Sequence, residues 1–176
     1  TTAPDGSTTR SEYNPDGTVA ASIDASGART SYVYDSLKRT VEVQDALGNV
    51  THTNYDSAGN VQTSTDAMGN VTSYEYDALG RVINTIAPDG RVTHTEYNSA
   101  GQTLSTTQNY APGRGQNEEN IYNLVTSYGY DALGRQVSVT DTLGNSMTYE
   151  YDASGRIHSV ADALGRTTTY EYDILG

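Results

Sequence analysis

The chain has no cysteine, no phenylalanine and no tryptophan. Without cysteine there is no disulfide framework and no thiolate metal centre. Lys and Arg together number 10 against 22 Asp and Glu, a formal net charge of −12. That balance argues against nucleic acid and anionic membranes as partners, because both are held by clustered cations. No apolar run approaches the roughly 20 residues that a membrane-spanning helix needs. Thr1-Thr2-Ala3-Pro4-Asp5-Gly6 has none of the charge and apolar run of a signal peptide. Hydrophobic residues make up only 35%, against roughly 45–50% for a compact domain on a slightly different residue set. A composition this poor in apolar side chains and rich in acid permits disorder. What is present excludes it: tyrosine, valine and threonine recur at fixed positions between regular turns.

The 15 tyrosines carry the pattern. The stretch Tyr74-Glu75-Tyr76-Asp77-Ala78-Leu79-Gly80-Arg81 recurs with small changes along the chain. Its second tyrosine returns as Tyr13, Tyr34, Tyr55, Tyr76 and Tyr97, then as Tyr130, Tyr151 and Tyr172, with steps of 21 residues inside each series. A fixed period of this size marks a repeat architecture. Each period holds two turn signals. The first is Tyr-Asp-x-x-Gly, with Asp35, Asp56, Asp77, Asp131 and Asp152 in the aspartate place and Gly59, Gly80, Gly134 and Gly155 closing the turn. The second lacks the tyrosine and ends on Gly48, Gly69, Gly144 and Gly165. Aspartate opening a type I turn bonds its own backbone two residues on, and glycine in fourth place supplies the left-handed conformation that releases the next strand. Lys38 stands where one such glycine is expected. Proline occurs 4 times, only in turns or in an insertion, as a β array requires.

The unit therefore reads strand, turn, strand, turn. Strands entering Tyr-Asp alternate with period two, placing Thr72, Tyr74 and Tyr76 on one face and Val71, Ser73 and Glu75 on the other. Glu12, Glu96, Glu150 and Glu171 occupy the same place as Glu75, so one face is a tyrosine ladder and the other carries acid. Strands leaving Tyr-Asp do not keep one alternation. No segment shows an apolar stripe of helical period, so no helix is expected. The fold class is all-β, an antiparallel meander of about 15 short strands built from two-strand repeats. At about 4.8 Å per strand it would be about 70 Å wide, more than an open twisted sheet sustains without curling or splitting. The low apolar content disfavours a dense sandwich, so a curved wall is expected.

Between Tyr97 and Tyr130 the spacing is 33, one period plus 12. The expected organisation is a repeat array over residues 1–107, a long hairpin-loop insertion over 108–123 and the array continued over 124–176. Within the insertion Tyr110, Arg114, Glu118, Glu119 and Tyr122 are candidate contact residues.

The pattern Gly-x4-Tyr-x-Tyr-Asp-x-x-Gly-Arg, whole in 69–81 and 144–156, resembles the RHS or YD repeat. That family includes bacterial RHS polymorphic toxins, the cocoon component of Tc toxin complexes, wall-associated proteins and teneurins. The resemblance implies a long sheet spiralling into a shell, enclosing a toxin segment in some members and scaffolding adhesion in others. It implies as partners further repeats of the same or identical chains, an enclosed toxin domain, and assembly into homo-oligomers or filaments through unpaired sheet edges. Cysteine-free repeats rich in threonine, serine, tyrosine and asparagine suit secretion or a cell surface, and an array that starts and stops in mid-repeat is expected to be a segment of something longer or a unit continued by identical copies.

No chemistry competes well with this. Carboxylates recur equivalently in every unit, whereas glycoside hydrolysis needs one asymmetric pair. Calcium is the fairer rival for repeated aspartate turns, but the glycine-rich nonapeptide of calcium-binding β-rolls is missing. His52 and His94 share one repeat position and His158 lies in the other strand type, with no triad or zinc spacing around them. The expectation is a non-enzymatic structural segment with no cofactor and no metal, the repeat tyrosines packing between strands. An adhesion or fibre module and a glycan-binding surface are the alternatives.

Overall fold

The computed structural model describes residues 8–114 and 122–173. Fifteen strands form a sheet whose order is the order of the chain, and no helix occurs among the described residues. The chain divides into two compact units, Thr1–Gly80 with Ile86–Asp89 and Arg81–Thr85 with Gly90–Gly176. The first unit contains β1 (Arg10–Tyr13), β2 (Val19–Ile23), β3 (Arg29–Tyr34) and β4 (Thr40–Gln44). It continues with β5 (Val50–Tyr55), β6 (Val61–Thr65) and β7 (Val71–Tyr76). Strand β8 (Val82–Ile86) is divided between the units. The second unit holds β9 (Val92–Tyr97), β10 (Thr103–Gln108), β11 (Leu124–Tyr130) and β12 (Gln136–Thr140). It ends with β13 (Ser146–Tyr151), β14 (Ile157–Ala161) and β15 (Thr167–Thr169).

The turns follow from their aspartates. In the first-type turn after β3, Lys38 N–H donates to the Asp35 carbonyl at 3.0 Å and Asp35 N–H donates to the Arg39 carbonyl at 3.0 Å. The Asp35 carboxylate accepts the N–H groups of Leu37 and Arg39, each at 2.9 Å. The same pair of carboxylate bonds closes the turns at Asp45, Asp56, Asp66, Asp131, Asp141, Asp152 and Asp162. The fourth residue must then have positive φ, and every turn glycine expected from the sequence does, from 77° at Gly80 and Gly165 to 94° at Gly59. Lys38 takes the same place with φ of 61°. A side chain in that conformation costs about 1 kcal/mol, partly offset by an exposed bond from Lys38 Nζ to the Asp16 carbonyl at 2.7 Å. Lys38→Gly is expected to raise stability by about 0.5–1 kcal/mol, read as a higher urea midpoint at unchanged slope.

Within each unit strands touch only their sequence neighbours. Ala21 is the one buried hydrophobic residue among those described. Ser105, Thr107 and Ser159 are the buried polar ones. The layer has no conventional core, so cross-strand contacts have to hold it together.

Those contacts sort by face. Residues paired directly across the ladder share a face: Tyr32 with Val43, Tyr128 with Val139, Val139 in turn with Met147, and Tyr149 with Val160. The tyrosine face is thus a tyrosine–valine face. On the other, Glu12 pairs with Ala21, Glu96 with Ser105 and Glu150 with Ser159. The Ser105 and Ser159 hydroxyls donate to Glu96 and Glu150 at 2.8 Å. The acidic face of the sequence reading is therefore a small-polar face in which glutamates are spaced among serine and threonine.

Candidate functional site

The strands leaving Tyr-Asp carry a β-bulge that local alternation does not reveal. Tyr13 pairs with Val19 while Glu12 pairs with Ala21, so Ala20 is skipped. The same slip skips Val41, Gln62, Leu104, Val137 and His158. A bulge interrupts the ladder and leaves backbone polar groups in need of partners. The partner comes from the next repeat. Tyr34 Oη donates to the Val19 carbonyl at 2.9 Å, Tyr55 to Thr40 at 2.9 Å and Tyr76 to Val61 at 2.8 Å. In the second unit Tyr97 donates to Val82 at 2.8 Å, Tyr130 to Thr103 at 2.9 Å, Tyr151 to Gln136 at 2.7 Å and Tyr172 to Ile157 at 2.8 Å. Every acceptor for which the ladder is described is the residue paired with the preceding repeat tyrosine, immediately before the skipped one. Tyr13, on the first strand, is 66% exposed.

Arginine completes the arrangement. Arg39, Arg81, Arg135 and Arg156 each follow a first-type turn, and their guanidinium carbons lie 4.3, 4.6, 4.5 and 4.4 Å from the ring centroids of Tyr55, Tyr97, Tyr151 and Tyr172. Three are aimed by the turn aspartate, through Nε bonds of Arg39 to Asp35 at 2.7 Å, Arg135 to Asp131 at 2.7 Å and Arg156 to Asp152 at 2.8 Å. These backbone and side-chain donors hold the three carboxyls below the ordinary aspartate range, the backbone N–H of the arginine being the larger influence. One edge of each unit is closed covalently by the second-type turn. At the opposite edge the same two strands are not joined, and there the tyrosine hydroxyl and the guanidinium bridge them.

The insertion joins β10 to β11, which pair directly. Asn123 anchors its base, taking the Ala111 N–H at 2.9 Å and donating to the Arg114 carbonyl at 2.6 Å. Of the candidate contact residues, Tyr110 stacks on His94 at 4.5 Å and Arg114 lies over Tyr122 at 4.8 Å. Glu118 and Glu119 lie outside the described residues. His94 Nδ1 is 2.7 Å from Asn84 Oδ1, a grouping with no signature in the sequence. Among the described residues no three His, Asp or Glu side chains stand together as metal ligands.

The profile of the RHS Repeat family matches residues 13–50, 55–92, 76–111, 123–146 and 151–176, well over half of the sequence. The chain belongs to the RHS repeat family. No curated protein sequence matches it closely enough to count as a relative. Among solved structures, a TcdB2–TccC3 crystal structure is similar with a TM-score of 0.70 at 18% identity, over 86% of this chain. A Tc holotoxin pore from Photorhabdus luminescens is similar with a TM-score of 0.71 at 20% identity, over 95% of this chain. A TcdB2–TccC3–Cdc42 crystal structure gives 0.62 at 14% identity over 99%. At these identities the likeness is one of fold. This RHS repeat chain spans only 9–11% of the length of the chains it matches. The tyrosine, aspartate and glycine of its turn motif are the residues whose geometry is described above.

Proposed function

We propose that this stretch is a length of wall in an RHS-type shell that encloses or scaffolds a cargo domain, without a reaction of its own. The observation that carries the reading is the stitch itself: each repeat tyrosine from Tyr34 onward is bonded to the preceding repeat, and the turn carboxylates are engaged by their own backbone. Side chains so committed maintain a sheet of indefinite length. The wall is taken to curl, and to belong to a secreted or cell-surface protein, in keeping with its family.

The turn tips favour further repeats of the same kind as neighbours. In the first unit Leu37, Leu47, Met68 and Leu79, and in the second Leu133, Leu143 and Leu164, are between 71% and 88% exposed. Leu47 and Met68 in the first unit, and Leu143 and Leu164 in the second, lie one repeat apart on successive second-type turns, a row that would seat a neighbouring copy. A second reading is a fibre or adhesion module built by pairing of sheet edges. Electron microscopy of the purified chain, beside its mass in solution, separates the two. Short arcs or hollow curved particles are the expected result, and straight regular filaments would favour the fibre. Replacing Leu47, Met68, Leu143 and Leu164 by lysine is expected to change the unfolding free energy by no more than about 0.5 kcal/mol per site while reducing self-association.

A further inference from the structure

The first-type turns pair their residues consistently, with one exception. Where aspartate opens the turn, arginine follows four residues later: Asp35 with Arg39, Asp77 with Arg81, Asp131 with Arg135, Asp152 with Arg156. Where asparagine opens it, a neutral residue follows: Asn14 with Thr18, Asn98 with Gln102. Asp56 alone keeps the carboxylate and lacks the arginine, having Asn60 instead. Asn60 is too short to cover the ring ahead of it. Its amide folds back on Asp56 at 3.0 Å, and its carbonyl side lies beside the Gly80 turn.

An open groove of about 530 Å³ lies here, lined by Asp56, Asn60, Gln62, Tyr74 and Tyr76 among others. The Tyr76 hydroxyl is already committed to Val61, which leaves its ring as the wall on which the guanidinium lies in other repeats. Burial, and then the Asp56 charge, push the Tyr76 hydroxyl pKa up. A cation over the ring would compensate that charge.

We propose that the groove over Tyr76 is a docking site for an exposed arginine side chain of a partner polypeptide, stacked on the ring and paired with Asp56. The chain's own arginines are the template: Arg39, Arg135 and Arg156 lie over Tyr55, Tyr151 and Tyr172 while paired with their turn aspartates, and Arg81 lies over Tyr97. The chain's charge of −12 favours a cationic visitor.

The test uses the full chain with tyrosine rings labelled for NMR, Tyr76 being assigned from its loss in Tyr76→Phe. Titration with Nα-acetyl-arginine amide is expected to move the Tyr76 ring resonances, half-saturating at about 10–100 mM. Tyr55, Tyr97, Tyr151 and Tyr172 are expected to stay in place. The neutral isostere Nα-acetyl-citrulline amide should leave Tyr76 unmoved, and Asp56→Asn should weaken the response at least about threefold. Asn60→Arg, with unchanged circular dichroism, should abolish it by filling the groove from within. No movement of Tyr76, equal movement of all tyrosines, or an equal response to citrulline overturns the proposal. So does a response to a neutral oligosaccharide without one to arginine, which would make the groove a sugar site.

Discussion

Tyr151→Ala is expected to destabilise the chain by about 3 kcal/mol, and Tyr151→Phe by about 1 kcal/mol. The smaller change removes only the hydroxyl that donates to the Gln136 carbonyl at 2.7 Å, leaving that acceptor at the bulge without its partner. The larger change also removes the half-buried ring and the surface over which Arg135 lies at 4.5 Å. With Ala21 the one buried hydrophobic residue among those described, no packed second layer stands ready to relax into the space. In a linear array the consequence also spreads, because each repeat is stabilised by its neighbours and weakening one junction splits the cooperative unit. Urea unfolding followed by circular dichroism checks both. Tyr151→Ala should lower the midpoint far more than Tyr151→Phe, with a broader transition. Equal midpoints for the two variants would mean that the ring contributes nothing beyond its hydroxyl.

Acid is expected to unfold the chain steeply below about pH 4. Ten aspartates among the described residues are held below the ordinary aspartate value: Asp16, Asp24, Asp35, Asp45, Asp56, Asp66, Asp131, Asp141, Asp152 and Asp162. In Asp45, Asp56, Asp66 and Asp141 the leading cause is the side-chain amide of the asparagine four residues on. A carboxyl with a lowered folded pKa stabilises the fold fully above its unfolded value of about 3.9, and that contribution disappears as pH falls through the folded value. Because all these groups sit in equivalent turns, their losses coincide. Self-repulsion at a net charge of −12 works in the opposite direction as pH approaches the isoelectric point near 4.4, so moderate salt is needed to screen it. The urea midpoint should hold or rise slightly from pH 7 to 5 and collapse by pH 3. A midpoint still rising at pH 3 would show that the turn carboxylates contribute little.

Much of this fold was legible in the sequence because its signals are local. Asp-x-x-Gly specifies a turn within four residues, and the alternation through Tyr74 and Tyr76 specifies the face. The positive φ at Lys38 was legible for the same reason, since glycine occupies the equivalent place in other turns. The bulge was not legible. Ala20, Val41, Gln62, Leu104, Val137 and His158 share no property, and the single trace they leave is that strands beyond Tyr-Asp fail to alternate. The tyrosine hydroxyl bonds stayed hidden too, because a partner 15 residues back follows only once the bulge has displaced a carbonyl. The valine contribution to the tyrosine face depended on that same register. Tyr110, a candidate contact residue of the insertion, stacks its ring on His94, a pairing between segments that no periodicity encodes.

The central claim is that neighbouring repeats are held to one another by the tyrosine–arginine bridge rather than by a core. A double-mutant cycle on Arg135→Ala and Tyr151→Ala, read by urea unfolding at pH 7, tests it most directly. The account predicts a coupling energy of about 0.5–1 kcal/mol between these side chains of adjacent repeats. Additive losses, with no coupling beyond measurement error, would contradict it.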